Sequence, residues 1–131
     1  MEKGTLIYPG HRFKPADFLE FIYTRIFDRV WRQLGLNDDE DRWLLEAAIM
    51  LDPKGWPVVS GTGGGRKMRF APPDWPTGQS GALRAIYRHY EGFHVSAVAI
   101  VYPKGVKDDL SKNEKKSIKK AFEEIEAELR K

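Results

Sequence analysis

Apolar residues recur at steps of three and four between Pro15 and Leu34, which predicts a first amphipathic helix over this segment. Gly35 follows and is expected to end the helix, since glycine readily adopts the left-handed conformation found at many helix ends. A second helix is predicted up to Leu51. Asn37 or Asp38 can serve as its N-cap, and its acidic first turn suits the positive end of the helix dipole.

The middle of the chain shows patterns typical of strands. Lys67 and Arg69 alternate with Met68 and Phe70, so residues 66–71 are expected to form a strand with one basic and one apolar face. Two further segments, 82–90 and 93–102, flank Glu91-Gly92, which predicts a β-hairpin. The second arm is nearly all apolar. A strand covered on both faces is expected in the interior of a sheet.

The end of the chain predicts an amphipathic helix. Ser111 and Glu114 have the spacing of a capping box, and apolar residues follow at helical steps. The first half of this helix is rich in lysine and the second half in glutamate, which is opposite to the order that the helix dipole favours. The charge pattern therefore indicates a role in solubility or partner binding rather than in helix strength.

Composition narrows the class of protein. The chain has 131 residues, 41% of them hydrophobic, and no cysteine, which indicates one domain without disulfides or thiolate metal sites. No segment reaches the roughly 20 apolar residues of a membrane span, and the N-terminus lacks the apolar region of a signal peptide. We expect a soluble, cytoplasmic protein.

The positive charge is concentrated in the middle of the chain. The formal net charge is +3, but residues 60–107 alone contain seven Lys or Arg against two Asp or Glu. Such asymmetry predicts a polyanionic partner. The basic residues with same-face spacing on the predicted strands are Lys67, Arg69, Arg84 and Arg88, followed by Lys104 and Lys107 just past the hairpin. If the three predicted strands are neighbours, we expect these charges to converge on one exposed face of the sheet.

Aromatic residues near these strands offer surfaces on which bases can stack, namely Trp75, Tyr87, Tyr90 and Tyr102. The alternative is ordinary structure, because lysines and arginines on strands are usually solvated and aromatic residues on strands usually belong to the core. The pattern alone leaves both interpretations open.

Other kinds of site are not supported. The glycine-rich run 61–65 lacks the spacing of a P-loop and leads into a predicted strand instead of a helix. His11, His89 and His94 have no metal-ligand spacing. His89 and His94 are more typical of partly buried strand residues than of a general base.

Several spaced motifs resemble one known family. They are Leu51-Asp52-Pro53-Lys54, the run 61–69 with the sequence GTGGGRKMR, the run 81–87 with the sequence GALRAIY, Val101-Tyr102-Pro103-Lys104 and Asp109-Leu110-Ser111. In this order they resemble the toxins of the RelE superfamily, and in particular the HigB-like branch of type II toxin-antitoxin systems. The resemblance covers about residues 36–125, and residues 1–35 match less well, as a branch-specific extension would.

The resemblance implies a single α+β domain with two N-terminal helices, an antiparallel sheet of about four strands and a C-terminal helix. It also implies an endoribonuclease that cuts mRNA in the ribosomal A site without a metal or cofactor. It implies further that the ribose 2′-hydroxyl of the mRNA attacks the adjacent phosphate, and that a cognate antitoxin protein holds the enzyme inactive. An acidic or amphipathic antitoxin segment would suit the basic face.

Site residues follow from the same resemblance. It implies a catalytic set of Lys67, Arg69, Arg84 and Tyr87, with Arg84 as phosphate clamp, and RNA contacts by Arg66, Arg88, Lys104 and Lys107. Fixed cations of this kind stabilise charge that develops on the phosphate. The sequence departs from the family at Gly105 and Ser111, where some relatives carry an arginine and a tyrosine. The general base therefore stays open between Lys67, Tyr87 and His89.

Two other functions remain as alternatives. One is a catalytically weak or inactive RNA- or ribosome-binding module of the same fold, which the Gly105 departure favours. The other is a relative that poisons DNA gyrase, against which the retained Lys67, Arg69 and Arg84 argue.

Overall fold

The structure is a computed structural model that describes residues 18–72, 75, 82–104 and 109–131. Within these residues it is an α+β arrangement of three helices and a four-stranded sheet. The strands are β1 (Glu20–Tyr23), β2 (Arg66–Phe70), β3 (Leu83–Tyr90) and β4 (Val95–Pro103). The helices are α1 (Arg25–Gln33), α2 (Glu40–Leu51) and α3 (Lys112–Leu129).

The sheet has the order β1-β4-β3-β2. β2 pairs antiparallel with β3, and β3 pairs antiparallel with β4, so the predicted strand and hairpin are confirmed. β4 lies in the interior of the sheet, as its nearly all-apolar sequence predicted. β1 pairs parallel with β4, and the sheet is therefore mixed instead of antiparallel throughout.

The predicted helix over 15–34 is wrong in its first part. Residues 20–23 form β1, and α1 begins only at Arg25; residues 15–17 lie outside the described part. The backbone N–H of Glu20 donates to the carbonyl of His94 at 2.9 Å, and that of Thr24 donates to the carbonyl of Val98 at 3.3 Å. This pairing gives hydrogen-bond partners to the backbone groups on the outer edge of β4. Such tertiary hydrogen bonding outweighs the helix propensity that the spacing of apolar residues indicates.

Thr24 separates the strand from the helix. Its Oγ1 accepts a hydrogen bond from the N–H of Phe27 at 3.0 Å, as an N-cap does, and donates to the carbonyl of Ala99 at 2.6 Å. One side chain thus starts α1 and ties it to β4. Gly35, with φ +75°, ends the helix region as predicted.

Each face of the sheet carries its own apolar core. On one side α1 and α2 contribute Phe27, Trp31, Leu45 and Ile49, which pack with Met68, Phe70, Leu83, Ala85 and Tyr87 of β2 and β3. On the other side Ile118 and Phe122 of α3 pack with Ile86, Tyr90, Ala97 and Tyr102 of β3 and β4. We call these the α1/α2 face and the α3 face.

The start of α3 is the capping box that the sequence predicts. Ser111 Oγ accepts from the N–H of Glu114 at 3.1 Å, and the Glu114 carboxylate accepts from the N–H of Ser111 at 2.9 Å. Within the described ranges, no helix has both the length and the apolar character that crossing a membrane requires.

Candidate nucleic-acid interface

Lys67, Arg69 and Arg84 share the α3 face of the sheet, and we call these three residues the basic site. Arg69 pairs directly with Arg84 across β2 and β3, and Lys67 pairs with Ile86. Directly paired residues on neighbouring strands point to the same face. Ile86 packs in the core beneath α3, which identifies that face. The expected convergence of the three cations is therefore present.

The three cations differ in burial. Arg69 is exposed and Lys67 is half-buried, whereas only 9% of Arg84 is exposed. Arg84 Nη1 donates to the carbonyl of Ala82 at 3.0 Å. Among the described residues, no carboxylate forms an ion pair with any of the three. A guanidinium has five N–H donors in a fork whose geometry matches phosphate oxygens, so Arg84 has the chemistry of a phosphate ligand.

Tyr102, which the sequence suggested only as a surface for base stacking, lies next to Arg84. The two residues pair directly across β3 and β4, and only 3% of Tyr102 is exposed. Burial, with smaller contributions from Asp109 and Glu114, raises the pKa of the Tyr102 phenol, while Arg84 lowers it. The phenol is therefore protonated at neutral pH, so it can donate a hydrogen bond but cannot act as a base.

Arg66 and Tyr87 lie on the opposite, α1/α2 face, and therefore do not join the basic site. Tyr87 is fully buried, and its hydroxyl donates to the carbonyl of Pro53 at 2.7 Å. Burial raises the pKa of Tyr87 to about 12. Arg66 Nη1 donates to the carbonyls of Trp56 at 2.7 Å and Lys54 at 3.0 Å. Both side chains hold the segment between α2 and β2 against the sheet.

Arg88 and Lys104 are placed differently. Arg88 is on the α3 face, but it is paired with Glu126 of α3 at 3.3 Å and lies 4.5 Å from the centre of the Tyr90 ring. Lys104 is exposed at the end of β4, beside the Arg84 end of the sheet. Lys107 and Gly105 lie outside the described residues. Ser111, the other departure from the family pattern, is the N-cap of α3.

The aromatic residues expected near the basic face are not open for base stacking. Tyr87, Tyr90 and Tyr102 are each at most 3% exposed, and the Tyr90 hydroxyl donates to the carbonyl of Phe122 at 2.7 Å. Trp75 is half-buried against the α1/α2 core. The expectation that the whole basic face of the sheet is open is wrong, because α3 covers much of this face. The margin at Lys67 and Arg69 stays accessible.

His89 lies far from the basic site. Its alternation along β3 places it with Tyr87 on the α1/α2 face, five residues from Arg84, which is about 17 Å along a strand. Its Nδ1 lies 3.0 Å from Oγ of the buried Ser96, and burial lowers the pKa of His89. His89, His94 and Glu91 line a cavity of about 400 Å³ at that end of the sheet.

The glycine-rich run 61–65, here called the glycine loop, packs against α3. Buried Thr62 closes it, since its Oγ1 donates to the carbonyl of Val59 at 2.7 Å and accepts from the N–H of Gly65 at 2.9 Å. A Cβ on Gly65 would lie only 2.9 Å from Ile86 and 3.0 Å from Phe122. The glycines therefore permit close approach of the loop to the helix and sheet.

Chemically, the arrangement is a cationic margin that has the charge to attract an anion: two guanidinium groups and one ammonium group, with a protonated phenol behind them. No three His, Cys, Asp or Glu side chains among the described residues are close enough to hold a metal ion. The sequence was compared with known protein families, and it matches none of their family models.

Proposed function

We propose that this protein is a toxin of the RelE superfamily, HigB-like branch, that cleaves mRNA on the ribosome and is neutralised by a cognate antitoxin. The proposal is supported above all by the Arg69–Arg84 cross-strand pair, which no described carboxylate neutralises. Two like charges directly opposite each other destabilise a sheet. A bound phosphate removes that cost, so the pair favours a phosphate ligand.

In the proposed reaction the ribose 2′-oxygen loses its proton to a base and attacks the adjacent phosphorus. The bond from phosphorus to the 5′-oxygen breaks, and that oxygen takes up a proton. Arg84 and Arg69 hold the phosphate oxygens and stabilise the additional negative charge of the phosphorane. Of the three candidate bases, Lys67 alone belongs to the basic site, because Tyr87 and His89 lie on the other face.

Cleavage of mRNA in programmed ribosomes tests this function. Arg84→Ala is expected to lower the cleavage rate by about 10²- to 10³-fold, the range found when one donor to a developing oxyanion is removed. Arg84→Lys keeps the charge but loses the fork and should recover only part of the rate. Arg29→Ala, at an exposed position on α1, removes the same charge elsewhere and is the matched control.

Because Arg84 is nearly buried, the exposed Arg69→Ala variant gives a second measurement that does not depend on folding at a buried site. Equal cleavage by the wild type, Arg84→Ala and Arg69→Ala, all folded by circular dichroism, would contradict the proposed function.

A binding module without catalysis is the second candidate. It is favoured by the position of Tyr87 and His89 away from the basic site, which leaves Lys67 as the one candidate base there. Ribosome binding without mRNA cleavage by the wild type would support this candidate. Cleavage that is lost in Lys67→Ala, with binding retained, would support the nuclease instead.

A further inference from the structure

The two halves of α3 differ in charge and in how that charge is paired. Residues 112–120 include five lysines, and residues 123–128 include four glutamates. Glu126 pairs with Arg88 and Arg130, and Glu128 pairs with Lys131. None of the five lysines forms an ion pair with a carboxylate in the described part of the chain. Positive charge near a helix N-terminus opposes the dipole, so this charge lowers the stability of the helix.

Two of these lysines border the glycine loop. A Cβ on Gly61 would lie 3.4 Å from Cδ of Lys115, and one on Gly63 would lie 2.9 Å from Cγ of Lys119. The loop continues directly into β2, whose Lys67 and Arg69 belong to the basic site. The lysine side of α3 and the basic site therefore border the same short loop.

Lys116 and Lys120 point elsewhere. Each follows a loop-facing lysine by one residue, which turns it about 100° further around the helix. Both are exposed and lie on the side of α3 away from the buried Ile118 and Phe122. The helix thus presents two lysine pairs of equal charge, one beside the glycine loop and one directed to solvent.

We propose that Lys115 and Lys119, continued by Lys112, bind the phosphate backbone of the RNA whose reacting phosphate lies at the basic site. From residue 112 to residue 119 the helix rises about 10 Å, which is long enough for at least two successive phosphates. When the lysines neutralise these phosphates, the counterions condensed on the RNA are released, and this release supplies the binding free energy. The proposal rests on the proposed function, because it takes RNA as the ligand.

Binding to a fluorescent 20-nucleotide 2′-O-methyl RNA tests it, since this RNA lacks the attacking hydroxyl and stays intact. Fluorescence anisotropy gives the affinity between 50 and 250 mM KCl. The Lys115→Gln/Lys119→Gln double variant should show a slope of log affinity against log salt that is shallower by about 1.4, with roughly 25-fold weaker binding at 0.1 M. The Lys116→Gln/Lys120→Gln double variant should keep the wild-type slope.

Equal slope changes in both double variants would overturn the proposal in favour of a diffuse positive charge. An unchanged slope in both, or no binding by the wild type, would overturn it as well. These outcomes leave the cleavage test with Arg84→Ala unaffected, so failure of this surface and failure of the proposed function are distinguishable.

Discussion

Arg69 and Arg84 show at the residue scale how a site can oppose stability. The two residues are direct partners across β2 and β3, and no carboxylate among the described residues forms an ion pair with either of them. Like charges opposite each other on a sheet destabilise it by roughly 0.2–1 kcal/mol. A phosphate bound at the pair would attract both arginines and offset their mutual repulsion. This is the physical reason to regard the pair as a binding feature.

Replacing one of these arginines should therefore stabilise the unliganded protein. Arg69→Gln removes the charge, keeps a polar side chain at this exposed position and is expected to raise the free energy of unfolding by about 0.5 kcal/mol at low salt. The gain should shrink at 0.5 M salt, because screening weakens the repulsion between Arg69 and Arg84. Urea unfolding at the two salt concentrations measures it. A loss of stability at low salt would show that the arginines do not repel each other.

The same scale shows what the sequence could predict of the site. Strand alternation was sufficient to group Lys67, Arg69 and Arg84 on one face. The same alternation along β3 puts Tyr87 on the other face, although the resemblance implied that Tyr87 belongs to the catalytic set. The pairing of Arg84 with Tyr102 was not predictable. Four residues, 91–94, separate β3 from β4, and the pairing shifts between Ile86 and Tyr87, so counting from a two-residue turn gives the wrong partner.

At the scale of elements, α3 depends on its capping box because its charges oppose the dipole. Lysines near the N-terminus weaken the first turn. The reciprocal hydrogen bonds of Ser111 and Glu114 satisfy two N–H groups there. Ser111 therefore has a structural role as the N-cap of α3.

Ser111→Ala should therefore lower the free energy of unfolding by about 1 kcal/mol. Ser117→Ala is the matched control, since Ser117 is exposed in the interior of the same helix and is no cap. Its replacement should be neutral or slightly stabilising, because alanine has the higher helix propensity. Urea denaturation followed by circular dichroism compares the two variants, and equal losses would argue against the cap as the cause.

At the scale of the whole molecule, one sheet separates two cores, and both depend on it. All four tryptophans pack on the α1/α2 side: Trp31, Trp43, Trp56 and Trp75. Phe122 is fully buried on the α3 side, between the glycine loop and the sheet. Tryptophan fluorescence therefore reports on one core, whereas Phe122 belongs to the other.

Phe122→Ala should destabilise the protein by about 3–5 kcal/mol through the cavity that it leaves. Because the sheet is shared, the unfolding midpoints measured by tryptophan fluorescence and by circular dichroism should fall together. A fluorescence midpoint that stays at the wild-type value while the circular dichroism midpoint falls would show that the two cores unfold independently.

Several elements were predictable from the sequence because they depend on the properties of neighbouring residues. These are the glycine end of α1, the alternation of β2, the hairpin strands, the apolar interior strand β4 and the capping box of α3. The tertiary structure alone decided that residues 20–23 form a strand, since the free edge of β4 supplies the hydrogen bonds that override their helical spacing. It also decided which cations stay accessible. Packing of α3 buries the tyrosines and pairs Arg88, while the margin at Lys67 and Arg69 stays open beside the glycine loop.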